Sequence, residues 1–509
     1  MSRNIILLSD GTGNGAAKRN KTNVWRLYDA LDLHRQDQIA FYDDGVGSQE
    51  FLPFKLIGGA VGWGLKKNVR QLYKFLCRNY REEDRVYLFG FSRGAFTVRM
   101  LAGMIAYCGV YTQFSNEEDL DKAARHNYNA FRSHFDSGLL TQLLRKKFGK
   151  TEPRPAQHEP EIEFLGVWDT VDAYGLPIDE LAYVWDKLVY PIYFPDFILH
   201  EKVKKACHAL SIDDERKTFH PLLWDESQEK IANRIEQVWF PGVHSDVGGG
   251  YPEYTLALVP LDWMLTKVEA ASSEEGSSGL HLIAQRREEI HRHSDWHGPQ
   301  HDSRALAGSY YRYSPRDIDK LCNNTHAEII VKVPKIHRAA MERIAGNVVP
   351  YAPTGLPEDY EVVSNRTLEE EKQHGPLPEY ETASEKKKRR HDMEKVSGVI
   401  TFRKILYFSM VVTTLALLVS PFYFHCFGPD QCTGANGLFD FILKYVQTVL
   451  PDILGPWIKV LRHYPWVFYL FILVFGCFAL LKSKAWQRTQ LLATHGWATL
   501  KNKQRESNC

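Results

Sequence analysis

Up to about residue 350, short apolar runs that end in Gly, Ser or Asp clusters alternate with segments of helical periodicity. In the segment 69–81, for example, Val69, Leu72, Phe75 and Leu76 fall on one helical face. The pattern predicts five strands, Ile5–Leu8, Ile39–Tyr42, Arg85–Phe89, Ile162–Trp168 and Ile235–Phe240, and a less regular sixth, Glu328–Val333. Strands that alternate with helices indicate a mostly parallel sheet with helices on both faces, an α/β domain over residues 1–350.

Two longer apolar runs lie near the C-terminus, Ile405–Phe424 and Trp466–Leu481, and neither contains a charged residue. Their lengths predict a hairpin of two transmembrane helices over residues 401–485, and buried core helices are the alternative. Between the runs, the apolar positions of 438–449 share one helical face, which suits a helix in the membrane interface or one packed on the hairpin.

Charged segments flank this predicted hairpin. Residues 351–400 contain several prolines and end in a basic run, which predicts a charged linker, and 486–509 form a basic C-terminal tail. Because Lys and Arg crowd both outer flanks, the positive-inside rule places both termini and the first domain in the cytosol. Cys426 and Cys432 would then lie across the membrane, where they could form a disulfide.

The overall charge and the cysteines exclude some functions. The formal net charge is +1, which argues against binding nucleic acid by neutralising phosphates. None of the first four cysteines belongs to a CxxC pair, so no zinc site is predicted, and the chemistry described below requires no metal or organic cofactor.

The motif with the clearest chemistry is Gly90-Phe91-Ser92-Arg93-Gly94, which follows the predicted strand Arg85–Phe89 and precedes a helical stretch. A strand–turn–helix setting is what a nucleophile elbow requires, because the sharp turn exposes the serine hydroxyl. Side chains at Gly90 and Gly94 would collide with the neighbouring helix and strand. The motif therefore predicts Ser92 as the nucleophile of an α/β-hydrolase-like domain.

The acid and the base of a hydrolase triad should follow the serine in the chain. Asp246 follows the later strand in a glycine-rich loop and is the preferred acid, while Asp169 is the alternative. Among the downstream histidines, His301 is the preferred base. His244 competes with it, but a histidine two residues from Asp246 would project from the same short turn as that acid.

An oxyanion hole needs two backbone N–H donors. One should come from Arg93, and the other from the loop after the first strand at Gly11 or Thr12. The same loop resembles a haloacid dehalogenase signature, but Leu8 stands where that signature requires a second aspartate. It also has no lysine of a phosphate-binding P-loop, so nucleotide binding is not indicated.

Taken together, these motifs resemble an α/β-hydrolase family that includes phospholipase effectors of type VI secretion systems, formerly a domain of unknown function. The matching stretches, in order over about residues 3–315, are 9–14 with 22–24, 42–47, 90–95, 164–171, 208–210 with 214–216, 239–251 and 301–303. The resemblance implies a triad of Ser92, Asp246 and His301, and a phospholipase A type of activity. The C-terminal hairpin departs from secreted effectors.

The prediction is therefore a membrane-anchored serine hydrolase that cleaves carboxylic esters of membrane lipids. Anchoring would hold the active site near a two-dimensional substrate. One alternative is an esterase or thioesterase that acts on a soluble acyl compound. The other is a non-catalytic, membrane-anchored binding module, which a complete triad disfavours.

Overall fold

The computed structural model describes residues 2–11, 14–15, 17–45, 60–135, 152–172, 197–273, 279–325, 328–346, 350–365, 377–424 and 454–507. The chain divides into two compact units. Unit 1 comprises Met1–Arg390 and Trp497–Cys509, and unit 2 comprises His391–Gly496.

Unit 1 is built on an eight-stranded sheet whose strand pairs are all parallel. Its strands, in spatial order, are β10 (Glu361–Val363), β9 (Lys335–His337), β6 (Ile235–Phe240), β5 (Val203–Ser211), β4 (Ile162–Trp168), β3 (Arg85–Phe91), β1 (Asn4–Ser9) and β2 (Gln38–Asp43). The chain adds β2 on one side of β1 and β3 on the other. The carboxyl ends of β1 and β3 therefore flank a topological switch point, where α/β sheets place their ligands.

The predicted mostly parallel α/β sheet is confirmed, and the five regular predicted strands correspond to β1, β2, β3, β4 and β6. The sixth lies outside the main sheet: β8 (Ile329–Ile330) pairs antiparallel with β7 (Asn323–Asn324). The strand β5 was not predicted because two lysines, one exposed and one half-buried, follow its buried first residue Val203 and interrupt the apolar pattern before Ala206. The strands β9 and β10 span three residues each, too few to show a periodicity.

Helices cover both faces of the sheet. Among the described residues of unit 1 before residue 350, the helices are α1 (Asn23–Ala30), α2 (Ala60–Asn79), α3 (Arg93–Cys108), α4 (Glu117–Phe135), α5 (His244–Gly248), α6 (Thr255–Ser273), α7 (Ala284–His293), α8 (Ile318–Cys322) and α9 (Arg338–Ala345). One core cluster joins Leu72 of α2 and Phe96 of α3 to the sheet. A second cluster joins Leu27 of α1 and Trp263 of α6 to the opposite side. Strands buried on both faces explain the nearly continuous apolar runs in the sequence.

The segment expected to be a charged linker contributes to unit 1. The Tyr351 hydroxyl donates a 2.8 Å hydrogen bond to Asp213, and β10 extends the sheet. Near residue 390, the buried Arg389 guanidinium forms an ion pair of 3.0 Å with Glu381. Only 366–376 of this stretch lie outside the described residues. The segment therefore differs from the expected linker because its scattered apolar and aromatic residues pack on the domain.

The expected basic tail also belongs partly to unit 1. The helix α13 (Ala498–Ser507) follows Trp497, which is buried and donates a 2.9 Å hydrogen bond from Nε1 to the Pro353 carbonyl. The Arg389 guanidinium lies 4.5 Å from the centre of the Trp497 ring. The segment 497–507 is thus attached to unit 1 through the buried Trp497 ring and its contact with the Arg389 guanidinium.

Unit 2 contains the two apolar runs. They lie in α10 (Ala383–Tyr423), which begins in unit 1, and α12 (Pro465–Gly496), and both are candidate membrane spans by length and composition. The rings of Phe424 and Tyr464 meet at one end, beside the short helix α11 (Gly455–His463), and Met393 contacts Gly496 at the other. Two helices that meet at both ends in this way form an antiparallel hairpin.

Large apolar side chains remain exposed along both helices of the hairpin. Val412 is 64% exposed, and Leu473 of α12 is exposed to the same degree. Contiguous apolar surface of this extent is typical of a membrane or protein contact rather than of a core helix. The predicted interfacial helix at 438–449 and the pair Cys426 and Cys432 lie outside the described residues.

Candidate active site

The candidate site is centred on Ser92, which lies between the end of β3 and the start of α3. Its backbone has φ 58° and ψ −122°, a strained conformation that non-glycine residues rarely adopt. A Cβ on Gly90 would come within 2.5 Å of the Gly94 carbonyl oxygen, and one on Gly94 within 2.1 Å of the Ser9 carbonyl oxygen. Glycine at both positions therefore allows the turn that directs Ser92 away from the sheet.

A continuous hydrogen-bonded chain begins at the Ser92 hydroxyl. Its Oγ lies 2.8 Å from Nε2 of His244, and Nδ1 of the same ring lies 2.6 Å from Oδ2 of Asp169. All three residues are buried. The carboxyl ends of β3, β4 and β6 supply Ser92, Asp169 and His244, respectively. Because the strands are parallel, these ends share one edge of the sheet, which brings distant residues together.

Asp169 is held on several sides. Its Oδ1 accepts a 3.0 Å hydrogen bond from the Ser211 N–H, and the Arg316 guanidinium donates to both of its carboxylate oxygens, at 2.7 and 2.8 Å. Burial alone would raise the pKa of the Asp169 carboxyl, but the charge and hydrogen bonds of Arg316, with those of His244, outweigh it. The pKa of Asp169 lies well below its usual range, so the carboxylate stays ionised.

His244 begins the short helix α5, and its ring is enclosed by aromatic side chains. Between ring centres, Phe91 lies 4.7 Å away, and Phe219 lies 4.9 Å away in an edge-to-face arrangement. Burial lowers the pKa of His244 despite the hydrogen bond to Asp169. The ring is therefore neutral near pH 7, the state in which Nε2 can accept a proton from a hydroxyl.

The structure corrects the predicted partners of Ser92. Nδ1 of His301 lies 2.6 Å from Asp246, its Nε2 lies 3.4 Å from Glu253, and its ring stacks on Tyr251. Both nitrogens of His301 thus face carboxylates rather than the Ser92 hydroxyl. The second oxygen of Asp246 accepts from the backbone N–H groups of Val243 and His301.

The geometry of α5 explains why the two histidines have different acids. Two residues along a helix differ in direction by about 200°, so His244 and Asp246 project from opposite sides of α5. His244 therefore takes its acid from β4, and Asp246 pairs with His301 instead. The alternatives Asp169 and His244 were both identified in the sequence, but as substitutes for Asp246 and His301 rather than as a pair.

Of the three residues predicted to supply oxyanion donors, the structure describes Gly11 and Arg93. Arg93 is the first residue of α3, so its N–H has no carbonyl partner within the helix. Gly11 lies against Ser92, since a Cβ there would come within 3.3 Å of the Ser92 Cβ. Its N–H bonds to the Asp10 carboxylate at 2.6 Å, and Thr12 lies outside the described residues. The Arg93 N–H is therefore the better-placed donor in this structure.

Arg316 is a site residue that the sequence analysis did not identify. It lies 147 positions after Asp169, in no recognisable motif, so only the folded chain brings the two together. For metal binding, no cluster of three or more His, Cys, Asp or Glu side chains with suitable geometry occurs in the part of the chain that the structure describes.

A serine at a strand–helix turn, hydrogen-bonded to a buried histidine that is itself hydrogen-bonded to a buried carboxylate, has the geometry by which serine hydrolases are recognised. The sequence comparison identifies the family more narrowly. Residues 3–267 match the family described as "T6SS, Phospholipase effector Tle1-like, catalytic domain". The match covers more than half of the chain, and the chain therefore belongs to this family.

Two further proteins show similarity to this chain. The uncharacterized protein YEL023C of Saccharomyces cerevisiae is 30% identical over 236 residues, which cover 43% of this chain and 32% of the yeast protein. A crystal structure of an uncharacterized protein from Pseudomonas aeruginosa shares 20% identity with a TM-score of 0.32, over 58% of this chain and 49% of that one. The aligned regions thus span a third to a half of these relatives.

Proposed function

We propose that this chain is a membrane-anchored serine hydrolase of the α/β-hydrolase type that cleaves acyl esters of glycerophospholipids, an activity of the phospholipase A type. Ser92 is the nucleophile, His244 the general base and Asp169 the acid that orients it. The observation that carries this proposal is the unbroken chain from Ser92 Oγ through His244 to Asp169, at 2.8 and 2.6 Å.

The proposed reaction proceeds through an acyl-enzyme. As Ser92 Oγ attacks the acyl carbonyl carbon, its proton passes to Nε2 of His244. The ionised Asp169 stabilises the imidazolium, and the Arg93 N–H donates to the oxyanion. When the intermediate collapses, the glycerol oxygen leaves with the proton from His244. Water then attacks the acyl group, its proton passes through His244 back to Ser92, and the fatty acid departs.

Two observations favour a phospholipid over a soluble acyl compound. The first is membership in a family whose name specifies phospholipase effectors. The second is the Arg93 side chain beside the nucleophile. Burial lowers the pKa of its guanidinium to about 10, and no carboxylate among the described residues forms an ion pair with it. An anionic phosphodiester would supply the opposite charge that this guanidinium lacks.

The exposed apolar hairpin of unit 2 supports anchoring. Unit 1 contains both the N-terminal domain and the returning segment 497–507, so both ends of the hairpin lead to the same unit. A two-helix span with both ends on one side of a membrane matches this connectivity. With Lys and Arg crowding the outer flanks, we propose that unit 1 faces the cytosol.

Product analysis tests the proposed activity. Full-length protein in detergent, incubated with mixed micelles of phosphatidylcholine or phosphatidylethanolamine, should release fatty acid and lysophospholipid in equal amounts. Ser92→Ala should release neither product, because the variant lacks the attacking oxygen. Diacylglycerol or phosphatidic acid as the product would indicate cleavage at the phosphodiester and would contradict cleavage of the acyl ester. Hydrolysis of soluble esters or thioesters without any phospholipid cleavage would favour the esterase alternative.

Excising the hairpin tests its role as an anchor. A cut at Lys386 would also remove Arg389 and Trp497, which pack on unit 1, so residues 394–495 should instead be replaced by a short flexible linker. Met393 contacts Gly496, so the linker spans a short gap. We expect a soluble protein that hydrolyses a short-chain ester within about threefold of the wild-type rate. Its activity on vesicles should fall by at least about tenfold, because the tether no longer concentrates the site at the bilayer.

Vesicle sedimentation and the soluble-ester assay of the excised variant could each contradict the role of the hairpin as an anchor. If the variant still sediments with vesicles, unit 1 has a membrane surface of its own. If it folds but loses activity on the soluble ester as well, the hairpin belongs to the catalytic machinery rather than to an anchor.

A further inference from the structure

The Arg316 side chain forms a buried ion pair with the acid of the proposed triad. Neither side chain has any exposed surface, and the two guanidinium nitrogens face the two carboxylate oxygens of Asp169 at 2.7 and 2.8 Å. The residue lies after residue 267, where the family match ends. A bidentate pair fixes orientation as well as distance, because both groups are planar.

Two backbone carbonyls also hold the Arg316 guanidinium in place. It donates a 2.5 Å hydrogen bond to the Ser211 carbonyl at the end of β5, and another to the Phe219 carbonyl in the 3-10 turn Lys217–Phe219. One side chain thus links the end of β4, the end of β5 and the turn whose Phe219 ring contacts His244. A lysine could supply the charge but not this set of directed donors.

The other charged side chains near His244 form an ion pair with each other. Asp214 accepts from the His244 backbone N–H and pairs with Arg216 at 2.7 Å. His208, which lies near Asp169, accepts a hydrogen bond from the Thr170 N–H, and burial lowers its pKa to about 3, so it is neutral. Arg316 is therefore the cation that directly offsets the Asp169 carboxylate.

We infer that Arg316 is a positioning residue that holds Asp169 in register with His244 and extends the activity of the enzyme to lower pH. The inference rests on the proposed roles of Ser92, His244 and Asp169. The physical reason is general: a nearby cation lowers the proton affinity of the coupled His244–Asp169 pair, so the imidazole stays free to accept the serine proton in more acidic solution.

Two substitutions separate orientation from charge. In Arg316→Met both are lost. We expect kcat on a soluble ester to fall by about a hundredfold with little change in KM, because a displaced carboxylate misaligns the imidazole. The acidic limb of the kcat/KM profile should move upward by about one pH unit, because removing a cation raises the proton affinity of the pair. Arg316→Lys should lower kcat but leave the acidic limb in place.

A matched control separates these effects from a loss of stability. Arg389 is likewise buried in an ion pair, with Glu381, and donates to two backbone carbonyls. Arg389→Met should lower the unfolding temperature to a similar extent, but it should leave kcat and the pH profile unchanged. Unpairing a buried charge lowers stability at either site.

The outcomes distinguish this inference from the proposed function. If Ser92→Ala is inactive but Arg316→Met is folded with wild-type kcat and acidic limb, the inference about Arg316 fails alone. An equal shift in Arg389→Met would also overturn it. If Arg316→Met does not fold, Arg316→Lys decides, and wild-type kcat in that variant overturns the positioning role. If Ser92→Ala keeps its activity, the triad and the inference both fail.

Discussion

Replacing His244 with alanine is expected to lower kcat/KM for a soluble ester by about three to four orders of magnitude. The imidazole is the group within reach of the Ser92 hydroxyl, at 2.8 Å, and without it the hydroxyl has no acceptor for its proton. Initial rates with a short-chain nitrophenyl ester measure the effect without requiring a membrane.

His301→Ala is the matched control, since it removes the same side chain from a neighbouring His–Asp pair, in which the histidine is partly exposed. We expect a loss of at most about tenfold, because His301 bonds to Asp246 and Glu253 and acts only through the loop it braces. If His301→Ala is the more damaging substitution while both proteins remain folded, the general base is His301, as the sequence motifs and the family resemblance both indicated.

Asp169→Asn is expected to lower kcat by about three orders of magnitude or more. An amide cannot stabilise the imidazolium and favours the wrong tautomer of His244. It also leaves the Arg316 guanidinium buried without its counterion, so the unfolding temperature should fall as well. Rates should therefore be measured well below that temperature, with thermal unfolding followed in parallel.

Asp246→Asn is the corresponding control for the acid. Its carboxylate accepts from the Val243 N–H and from His301, so the amide should loosen the loop around α5 and cost far less activity. A larger loss for Asp246→Asn than for Asp169→Asn would return the role of the acid to Asp246.

Much of the fold could be predicted because its signals are local. Five strands and the α/β class follow from apolar runs that end in turn residues, and Ser92 is indicated by glycines two positions before and after it. The strand β5 was not predicted because an exposed and a half-buried lysine, directly after the buried Val203, interrupt its apolar pattern. Tyr351 and Arg389 pack on unit 1 through tertiary partners. The proline and charge content of this segment gives no indication of those partners.

The partners of Ser92 could not be predicted with the same certainty, because pairing depends on strand order and side-chain direction. In chain order Asp246 and His301 look like a complete acid–base pair, and they do form a part-buried hydrogen bond with each other. What the sequence does not display is that β4 neighbours β3, which places Asp169 beside the nucleophile. Nor does it display that α5 projects His244 and Asp246 to opposite sides.

Labelling with a fluorophosphonate probe tests the central claim most directly, because the probe reacts with a serine activated by a neighbouring base. Peptide mapping of the full-length protein should place the adduct on Ser92. Labelling should persist in His301→Ala, fall by orders of magnitude in His244→Ala and be absent in Ser92→Ala. An adduct on another residue, or rapid labelling of His244→Ala together with none of His301→Ala, would contradict the account.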